Sequence, residues 1–270
     1  MELYTKTAYE LSRQLTLRYS TSFSTSSRFF AKDIQPHIFA IYGLVRVADE
    51  TVDTYEGKNR KELLSNLEQE TYTAIKTGYS TNPVVHAFAR TAKQFGITKT
   101  LIKPFFKSMR LDLTPQTYTP KLYEIYIYGS AEVIGLMCLK VFVQGNDRDY
   151  KKLEAGAKAL GSAYQKVNFL RDFASDYNER GRVYFPGVAF ENFNTRDKNR
   201  IIKDIQKDFT VAKKAVNALP IHARKAVKLS YVYYYELLKK LEITPAEIIK
   251  VRRIRVSNIK KLALLAKQGR

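Results

Sequence analysis

Apolar residues recur along the chain at spacings close to three and four positions, as in the first segment at Leu3, Ala8, Leu11 and Leu15. This spacing is typical of an amphipathic helix, whereas the strict alternation of a half-buried strand never lasts. Prolines stand near the starts of several periodic segments, where their fixed φ suits a first helical turn. The pattern predicts an all-α fold with helices near residues 3–18, 36–54, 60–76, 83–95, 98–111, 120–143, 147–177, 196–217, 220–241 and 245–266.

Two segments interrupt this pattern without dividing the chain. Residues 20–28 are rich in Ser and Thr, and residues 178–194 contain the run ERGRVYFPG, which is typical of a surface loop. No linker, repeat or low-complexity tract appears, so we predict one domain over residues 1–270. The longest apolar stretch, Ile125 to Val143, is interrupted by Gly, Ser, Glu and Lys, which favours a buried helix over a membrane span.

Composition narrows the class of protein. The chain has 270 residues, 45% of them apolar and 27% charged, which are values of an ordinary globular protein. A single cysteine, Cys138, excludes a disulfide scaffold and a cysteine-based zinc site, and its apolar surroundings predict a buried, inert thiol. The N-terminus shows no apolar core of a secretion signal. We therefore expect a cytoplasmic protein.

The large excess of positive charge indicates an anionic partner. The chain carries 46 basic and 26 acidic residues, a formal charge of +20. Residues 196–270 hold 20 Lys or Arg and only 6 Asp or Glu. Nucleic acid, an anionic membrane surface and a polyphosphate substrate all fit this excess, and charge alone does not choose among them.

Two stacks of oxygen-bearing side chains are the candidates for chemistry. Asp49 and Asp53 are one helical turn apart in RVADETVD and project from the same helix face. Asn168, Asp172 and Asp176 fall at i, i+4 and i+8 in a second helix. Like charges at this spacing repel, so the stacks are either solvated acidic faces or ligands for a hard cation such as Mg²⁺.

Facing stacks of this kind would suit a diphosphate bridged by Mg²⁺, with Arg46 and Arg171 binding the remaining negative charge. Asp204 and Asp208 have the same spacing but lie among lysines, and we interpret them as an ordinary salt-bridged surface. The three histidines, which are scattered and have no ligand spacing, are interpreted as structural or surface residues.

Five segments occur in an order and spacing that resemble a known family: YSTSF at 19–23, DETVD at 49–53, GSAEVIG at 129–135, QKVNFLRD at 165–172, and RVYFP at 182–186. They are similar to the landmarks of the squalene and phytoene synthases, which condense prenyl diphosphates head to head. The resemblance covers nearly the whole chain and is greatest to bacterial phytoene synthases. It implies the all-α isoprenoid synthase fold, a helical bundle around a central cavity.

The resemblance also implies roles for single residues. The expected metal ligands are Asp49, Asp53, Asn168, Asp172 and Asp176, for Mg²⁺ or alternatively Mn²⁺. Tyr126 matches a tyrosine that the family places near the reacting carbons, where a phenol could stabilise a cation or help relay a proton, the alternative being a plain core tyrosine. With Asp49, Asp53, Arg171 and Asp172 it completes the expected catalytic set. The residues expected to bind or position the substrate are Ser20, Thr21, Ser22, Phe23, Tyr42, Arg46, Gln165, Arg171 and Arg182.

An apolar tunnel is expected for the hydrocarbon tails. Its candidate wall comprises Phe23, Ile134, Cys138, Ala157, Leu160 and Tyr164, each of which could also be plain core. Ser27 lies one turn after Phe23, where relatives that make C30 products often carry an aromatic residue. The small side chain favours geranylgeranyl over farnesyl diphosphate. Ile243 stands where relatives often have an aromatic residue that helps bind diphosphate, which leaves that contact in doubt.

The resulting expectation is a Mg²⁺-dependent phytoene synthase that needs no NADPH. Two geranylgeranyl diphosphates would form a cyclopropylcarbinyl diphosphate, which ionises, rearranges and loses a proton. The alternatives are a dehydrosqualene or squalene synthase using farnesyl diphosphate, a catalytically silent assembly protein, and a helical nucleic-acid-binding protein. The last lacks a recognition motif, so no nucleic-acid partner is expected. The basic segment after residue 250 predicts an amphipathic helix in peripheral contact with an anionic membrane, at the inner face of the cell membrane. The alternative is that Arg252, Arg253 and Arg255 serve the mouth of the active site and that the lysines form a solvated face.

Overall fold

The computed structural model describes residues 2–19, 25–114, 116–257, 260–261 and 263–264. Over these ranges the regular structure is helical and contains no strand, which confirms the predicted all-α class. The helices are α1 Glu2–Tyr19, α2 Gln35–Asp53, α3 Arg60–Thr77, α4 Pro83–Phe95, α5 Lys99–Leu111, α6 Pro120–Ile127, α7 Val133–Phe142, α8 Asp147–Arg171, α9 Phe173–Arg180, α10 Thr195–Ala218, α11 Ile221–Ile243 and α12 Ala246–Ile249.

The helices pack into a bundle with two adjoining apolar cores. One core lies among α2 to α5, α7 and the start of α11, with Phe88, Phe105 and Phe106 at most 1% exposed. The other lies among α6, α8, α10 and α11 and includes the fully buried Ile205 and Leu241. Burying apolar area of this kind is the main stabilising contribution to folding. The two cores leave α2, α6 and the end of α8 to carry the polar residues described below.

A π-helical turn, Tyr128–Glu132, joins α6 to α7 where a single helix was predicted. Gly129 lies in this turn, and a Cβ at that position would come within 2.3 Å of the Pro104 carbonyl oxygen in α5. Only a residue without a side chain allows this approach. The turn therefore packs closely against α5, and Tyr126, three residues before Gly129, contacts Asp112 just after the end of α5.

The segment Pro120–Phe142 is long and apolar enough to cross a membrane by length and composition, but 61% of its most apolar window is buried inside the bundle. This agrees with the prediction of a buried helix. Cys138 in the same segment is a free, half-buried thiol whose pKa is raised to about 12 by burial, as expected for an inert cysteine.

The prediction of one helix over 147–177 is wrong at Asp172. The backbone there has φ −100° and ψ 11°, so α8 ends at Arg171 and α9 begins at Phe173. The Asp172 and Asp176 amides still donate to the carbonyl oxygens four residues before them, at 2.8 Å each. The bend therefore keeps Asn168, Asp172 and Asp176 in register along one edge.

The predicted helix over 245–266 is also wrong in its first half. Helix α12 ends at Ile249, and residues 253–257 are irregular. Lys240 Nζ donates to the Arg255 carbonyl oxygen at 2.6 Å, and Ile254 is 4% exposed. These contacts with the bundle hold the segment in an irregular path despite its helical periodicity. The amphipathic helix expected there is not formed over residues 250–257.

Asp204 and Asp208 are salt-bridged, as predicted, but to a different partner. Lys166 of α8 is 8% exposed, and its Nζ lies 2.6 Å from Asp204 Oδ2 and 2.8 Å from Asp208 Oδ2. Ser162 also donates to Asp208 at 2.7 Å. The pair therefore neutralises a buried lysine and fixes α10 against α8.

The histidines have structural roles, as predicted. His37 lies 3.0 Å from the Thr91 hydroxyl, and burial lowers its pKa to about 4. His222 contacts the Phe142 carbonyl oxygen at 2.7 Å.

Candidate active site

The first carboxylate stack lies on the last turns of α2. Buried apolar residues, among them Leu44 and Val52, hold this helix against the core, and Asp49 and Asp53 lie on the adjoining face with side chains 31% exposed. Arg46 donates to Glu50 at 3.0 Å and lies 3.9 Å from Asp49. The stack is therefore partly neutralised by an arginine of its own helix.

The second stack lies across the bend between α8 and α9. Arg171 Nε and Nη2 reach the two Asp172 carboxylate oxygens at 2.9 and 2.5 Å. Arg253, from the irregular segment after α12, brings its Nε to 2.7 Å from Asp172 Oδ1. Arg180 lies 3.2 Å from Asp176 Oδ1. Arg253, which the sequence analysis offers alternatively as a residue of the active-site mouth, thus pairs with a predicted metal ligand.

Two arginines from the predicted loop region contact the stacks: Arg180 connects one stack to the other, and Arg182 connects the first stack to Asp112. Arg182 Nη1 lies 2.8 Å from Asp53 Oδ1, while Arg180 spans from Asp176 to within 3.9 Å of the same Asp53 oxygen. The structure therefore brings α2 and α9 to face one another, as expected from the two stacks.

Electrostatics at the site are unfavourable for the ionised carboxylates. Burial raises the pKa of Asp49 to about 7, with repulsion from Asp53 adding to the effect and Arg46 opposing it. Burial likewise raises the pKa of Asp176 to about 7, helped by repulsion from Asp172 and opposed by Arg180. The carboxylates remain short of positive charge even with their arginines.

A divalent cation fits this donor set. Among the described residues, no three Asp, Glu, His or Cys side chains converge as a ready-made ion cage, because arginines stand between the carboxylates. The Asn168 Oδ1 atom is nevertheless buried without a hydrogen-bond partner in the described part of the chain. An unpaired buried oxygen is costly, and together with carboxylates of raised pKa it suits a hard cation such as Mg²⁺ or Mn²⁺.

Of the remaining residues predicted to contact the substrate, some lie near the two stacks and others do not. Tyr42 and Gln165 are half-buried, on α2 one turn before Arg46 and on α8 one turn before Asn168. Ser20, Thr21, Ser22 and Phe23 lie outside the described residues. Ile243 is 82% exposed at the end of α11, so it is a surface residue.

The candidate tunnel wall lies between α7 and α8. Ile134 and Cys138 on α7, and Ala157, Leu160 and Tyr164 on α8, are half-buried although they stand in the middle of the bundle. The two helices approach closely because glycines lie at their contact. A Cβ at Gly135 would come within 2.7 Å of the Ala157 carbonyl oxygen. Lining of a tunnel by these residues stays a prediction.

Asp112 is a site residue that the sequence analysis missed. Its carboxylate oxygens accept from the Tyr126 hydroxyl at 2.8 and 3.0 Å, and its backbone carbonyl accepts from Arg182 Nη2 at 2.7 Å. A signal was present, because a lone Asp stands between Leu111 and Leu113 at the end of a predicted amphipathic helix. A carboxylate between apolar neighbours needs a partner, and pairing distant partners requires the fold.

The chain is thus an all-α bundle in which carboxylates of two helices face one another among clustered arginines. The sequence profile described as squalene/phytoene synthase matches residues 16–260, and the chain belongs to this family. The expected family resemblance is thereby confirmed.

Similar proteins agree with this assignment. The chain is 28% identical to the phytoene synthase of Arthrospira platensis, over 91% of this chain and 87% of that protein. It is 25% identical to the 4,4'-diapophytoene synthase of Staphylococcus haemolyticus, over 74% and 70%. Its fold matches a crystal structure of a dehydrosqualene synthase with a TM-score of 0.82, at 21% identity and covering 98% and 96% of the two chains. The family and these relatives place the chain among prenyltransferases of the head-to-head type.

Proposed function

We propose that the protein is a Mg²⁺-dependent phytoene synthase, which joins two geranylgeranyl diphosphates head to head and releases diphosphate. The observation that carries this proposal is the facing arrangement of Asp53 and Asp176, on separate helices, with Arg180 between them and Arg182 against Asp53. A cluster of acidic ligands and guanidinium groups is the environment that a departing diphosphate requires.

Within this proposal each group has a distinct task. Asp49, Asp53, Asn168, Asp172 and Asp176 would hold Mg²⁺, with Mn²⁺ as the alternative ion. The bound ions would supply positive charge to the leaving diphosphate. Arg46, which is oriented by Glu50, and Arg171, which is oriented by Asp172, would bind the diphosphate oxygens. Arg182 would bind diphosphate from the side of the loop.

The proposed C20 substrate rests on the space available to its tail. Ser27 is fully buried, and its backbone carbonyl accepts from Gln35 Nε2 at 2.8 Å, so a small side chain occupies a closed interior position. If this position borders the tunnel, a bulky residue there would shorten the tunnel and reduce the space for a prenyl chain. The relatives include both a phytoene synthase and a 4,4'-diapophytoene synthase, so the second candidate is a dehydrosqualene or squalene synthase that uses farnesyl diphosphate.

One incubation separates these candidates. The purified protein is given Mg²⁺ with either geranylgeranyl or farnesyl diphosphate, each with and without NADPH, and the hydrocarbon is identified by mass and chromatography. We expect phytoene from the C20 substrate, with no dependence on NADPH. A C30 product formed in preference would overturn the C20 assignment. Absence of any hydrocarbon or diphosphate release would favour the silent assembly protein.

We also propose that the protein works in the cytoplasm and contacts an anionic membrane peripherally, with no nucleic-acid partner. Ile243 and Val251 are 82% and 76% exposed, and Lys239, Lys240 and Lys250 lie close to them in sequence. Exposed aliphatic side chains flanked by cations suit the interface of an anionic bilayer. A lipid substrate and product would make such docking useful.

A further inference from the structure

Asp112 is a buried carboxylate to which the proposed function so far gives no task. It follows α5, with its amide donating to the Met109 carbonyl oxygen at 3.2 Å, and its side chain is 4% exposed. A carboxylate at such a depth is costly unless it is hydrogen-bonded. It has two partners, Tyr126 and Arg182, and both belong to the predicted site.

The Tyr126 hydroxyl has one hydrogen, and that hydrogen is directed to Asp112. The phenolic oxygen lies 2.8 Å from one carboxylate oxygen and 3.0 Å from the other, so the carboxylate accepts from it symmetrically. A hydroxyl that donates in one direction presents its lone pairs in the others. Hydrogen bonding to a carboxylate also increases the electron density on the phenolic oxygen.

The Tyr126 ring has little freedom to leave this position. Its centroid lies 5.2 Å from those of Tyr118 and Tyr184 and 5.9 Å from that of Phe169. Packing of Gly129 against α5, one turn later, fixes the helix that carries it. Asp112 therefore fixes the orientation of the hydroxyl hydrogen, and the aromatic neighbours fix the orientation of the ring.

Asp112 is also connected to the carboxylate cluster. Arg182 Nη2 donates to the Asp112 backbone carbonyl at 2.7 Å, and the same guanidinium lies 2.8 Å from Asp53. Arg182 Nη1 is 3.7 Å from the Asp112 carboxylate itself. Position 112 thus joins the tyrosine to the arginine that faces the proposed diphosphate.

We propose that Asp112 is a positioning residue, which holds the hydrogen of the Tyr126 hydroxyl so that the tyrosine presents oxygen lone pairs, and not a proton, to the carbocations of the reaction. This inference rests on the proposed function, because it requires a cationic intermediate beside Tyr126. It assigns Tyr126 the stabilisation of positive charge. Asp112 does not touch the substrate and acts only through the tyrosine and Arg182.

A double-mutant cycle of Asp112→Asn and Tyr126→Phe tests the proposal, with diphosphate release as the readout. We expect each single change to lower kcat about 100-fold, the usual effect of losing one preorganised electrostatic group, while KM stays within about threefold. In the double variant kcat should fall no more than about threefold below the slower single variant. Losses that multiply to about 10⁴-fold, or a change confined to KM, would overturn the proposal.

Asp208→Asn is the matched control, because Asp208 also accepts from buried partners but lies on α10 and outside the site. It should lower the melting temperature and leave kcat unchanged. If circular dichroism shows that Asp112→Asn does not fold, Asp112→Glu takes its place in the same double-mutant cycle. The glutamate retains the negative charge but shifts the position of the carboxylate oxygens. A wild-type protein that releases no diphosphate would overturn the proposed function together with this inference. An active wild type with independent losses would overturn the inference alone.

Discussion

Asp49 and Asp172 occupy corresponding places in the two stacks, and their neighbours differ. The ionised form of Asp49 is destabilised by burial and by neighbouring carboxylates, with Arg46 opposing the effect. Asp172, in contrast, is paired with Arg171 and Arg253. We expect Asp49→Asn and Asp172→Asn each to lower kcat by about 10³-fold or more, because an anionic ligand for the metal is lost. Steady-state assays at saturating Mg²⁺ measure this.

The melting temperatures of the same variants should differ. Asp49→Asn removes a destabilised charge and should leave the melting temperature equal or higher, while Asp172→Asn deprives two arginines of their partner and should lower it. Asp204→Asn, at a stack of identical spacing on α10, is the control and should keep its activity. If both site variants keep a kcat within tenfold of wild type, which corresponds to about 1.4 kcal/mol in activation free energy, the assignment of these residues as metal ligands is wrong.

At Ser27 the expected effect is on substrate choice. Ser27→Phe adds a ring at a fully buried position, and overpacking of this kind costs about 1–3 kcal/mol. If the position borders the tunnel, that cost falls mainly on the longer tail, so the C20:C15 ratio of kcat/KM should drop. Ser27→Ala adds no volume and should keep the ratio. An unchanged ratio in Ser27→Phe would show that Ser27 does not border the tunnel.

At the scale of elements, Gly129 allows the turn after α6 to pack closely against α5, the helix that precedes Asp112. Gly129→Ala would place a methyl group 2.3 Å from the Pro104 carbonyl oxygen and 2.8 Å from Ser108 Cβ. We expect α6 and α5 to separate, with a loss of about 1–3 kcal/mol in unfolding free energy and a fall in kcat as the tyrosine moves. Urea denaturation and steady-state kinetics measure the two effects.

Gly96→Ala is the control for the element prediction. Gly96 has φ +70° with nothing within 4 Å of its would-be Cβ, so the substitution introduces backbone strain without a clash. It should cost about 1–2 kcal/mol and leave kcat unchanged. Equal kinetic effects of the two alanines would mean that close packing at Gly129 does not position the tyrosine.

At the scale of the whole molecule, the raised pKa values predict how stability depends on pH. The pKa of Asp176 rises from 3.8 in the unfolded chain to about 7 in the folded protein, so between these values the folded state binds the extra proton. Stability from this group therefore declines as pH rises from about 5 to 8. In metal-free buffer, the melting temperature of Asp176→Asn minus that of wild type should increase over this range. A difference independent of pH would contradict the raised pKa.

The basic surface predicts salt-sensitive binding to membranes. Each Lys or Arg near an anionic surface contributes about 1 kcal/mol, so sedimentation with anionic liposomes at low salt should remove the protein from the supernatant. High salt or neutral liposomes should release it. Equal recovery in the supernatant under all four conditions would reject the membrane role.

Exposed aliphatic residues allow the docking face to be located. Ile243→Ser with Val251→Ser should weaken liposome binding, because these side chains are proposed to enter the interface. Ile221→Ser is the matched control, since Ile221 is 84% exposed at the opposite end of α11. If the control weakens binding as much as the pair, the docking face is not at the end of α11.

The sequence by itself determined the helical class, most helix positions and the two oxygen-bearing stacks. These depend on local periodicity, in which residues one turn apart must share a helix face, as Asp49 and Asp53 do. Only the tertiary structure decided which distant residues pair with the site residues. Arg253 reaches Asp172 across 81 positions, and Tyr126 on α6 reaches Asp112 at the end of α5, a contact that periodicity does not reveal. The irregular path after α12 was likewise set by contacts with the bundle, because tertiary packing outweighs helix propensities of a few tenths of a kcal/mol per residue.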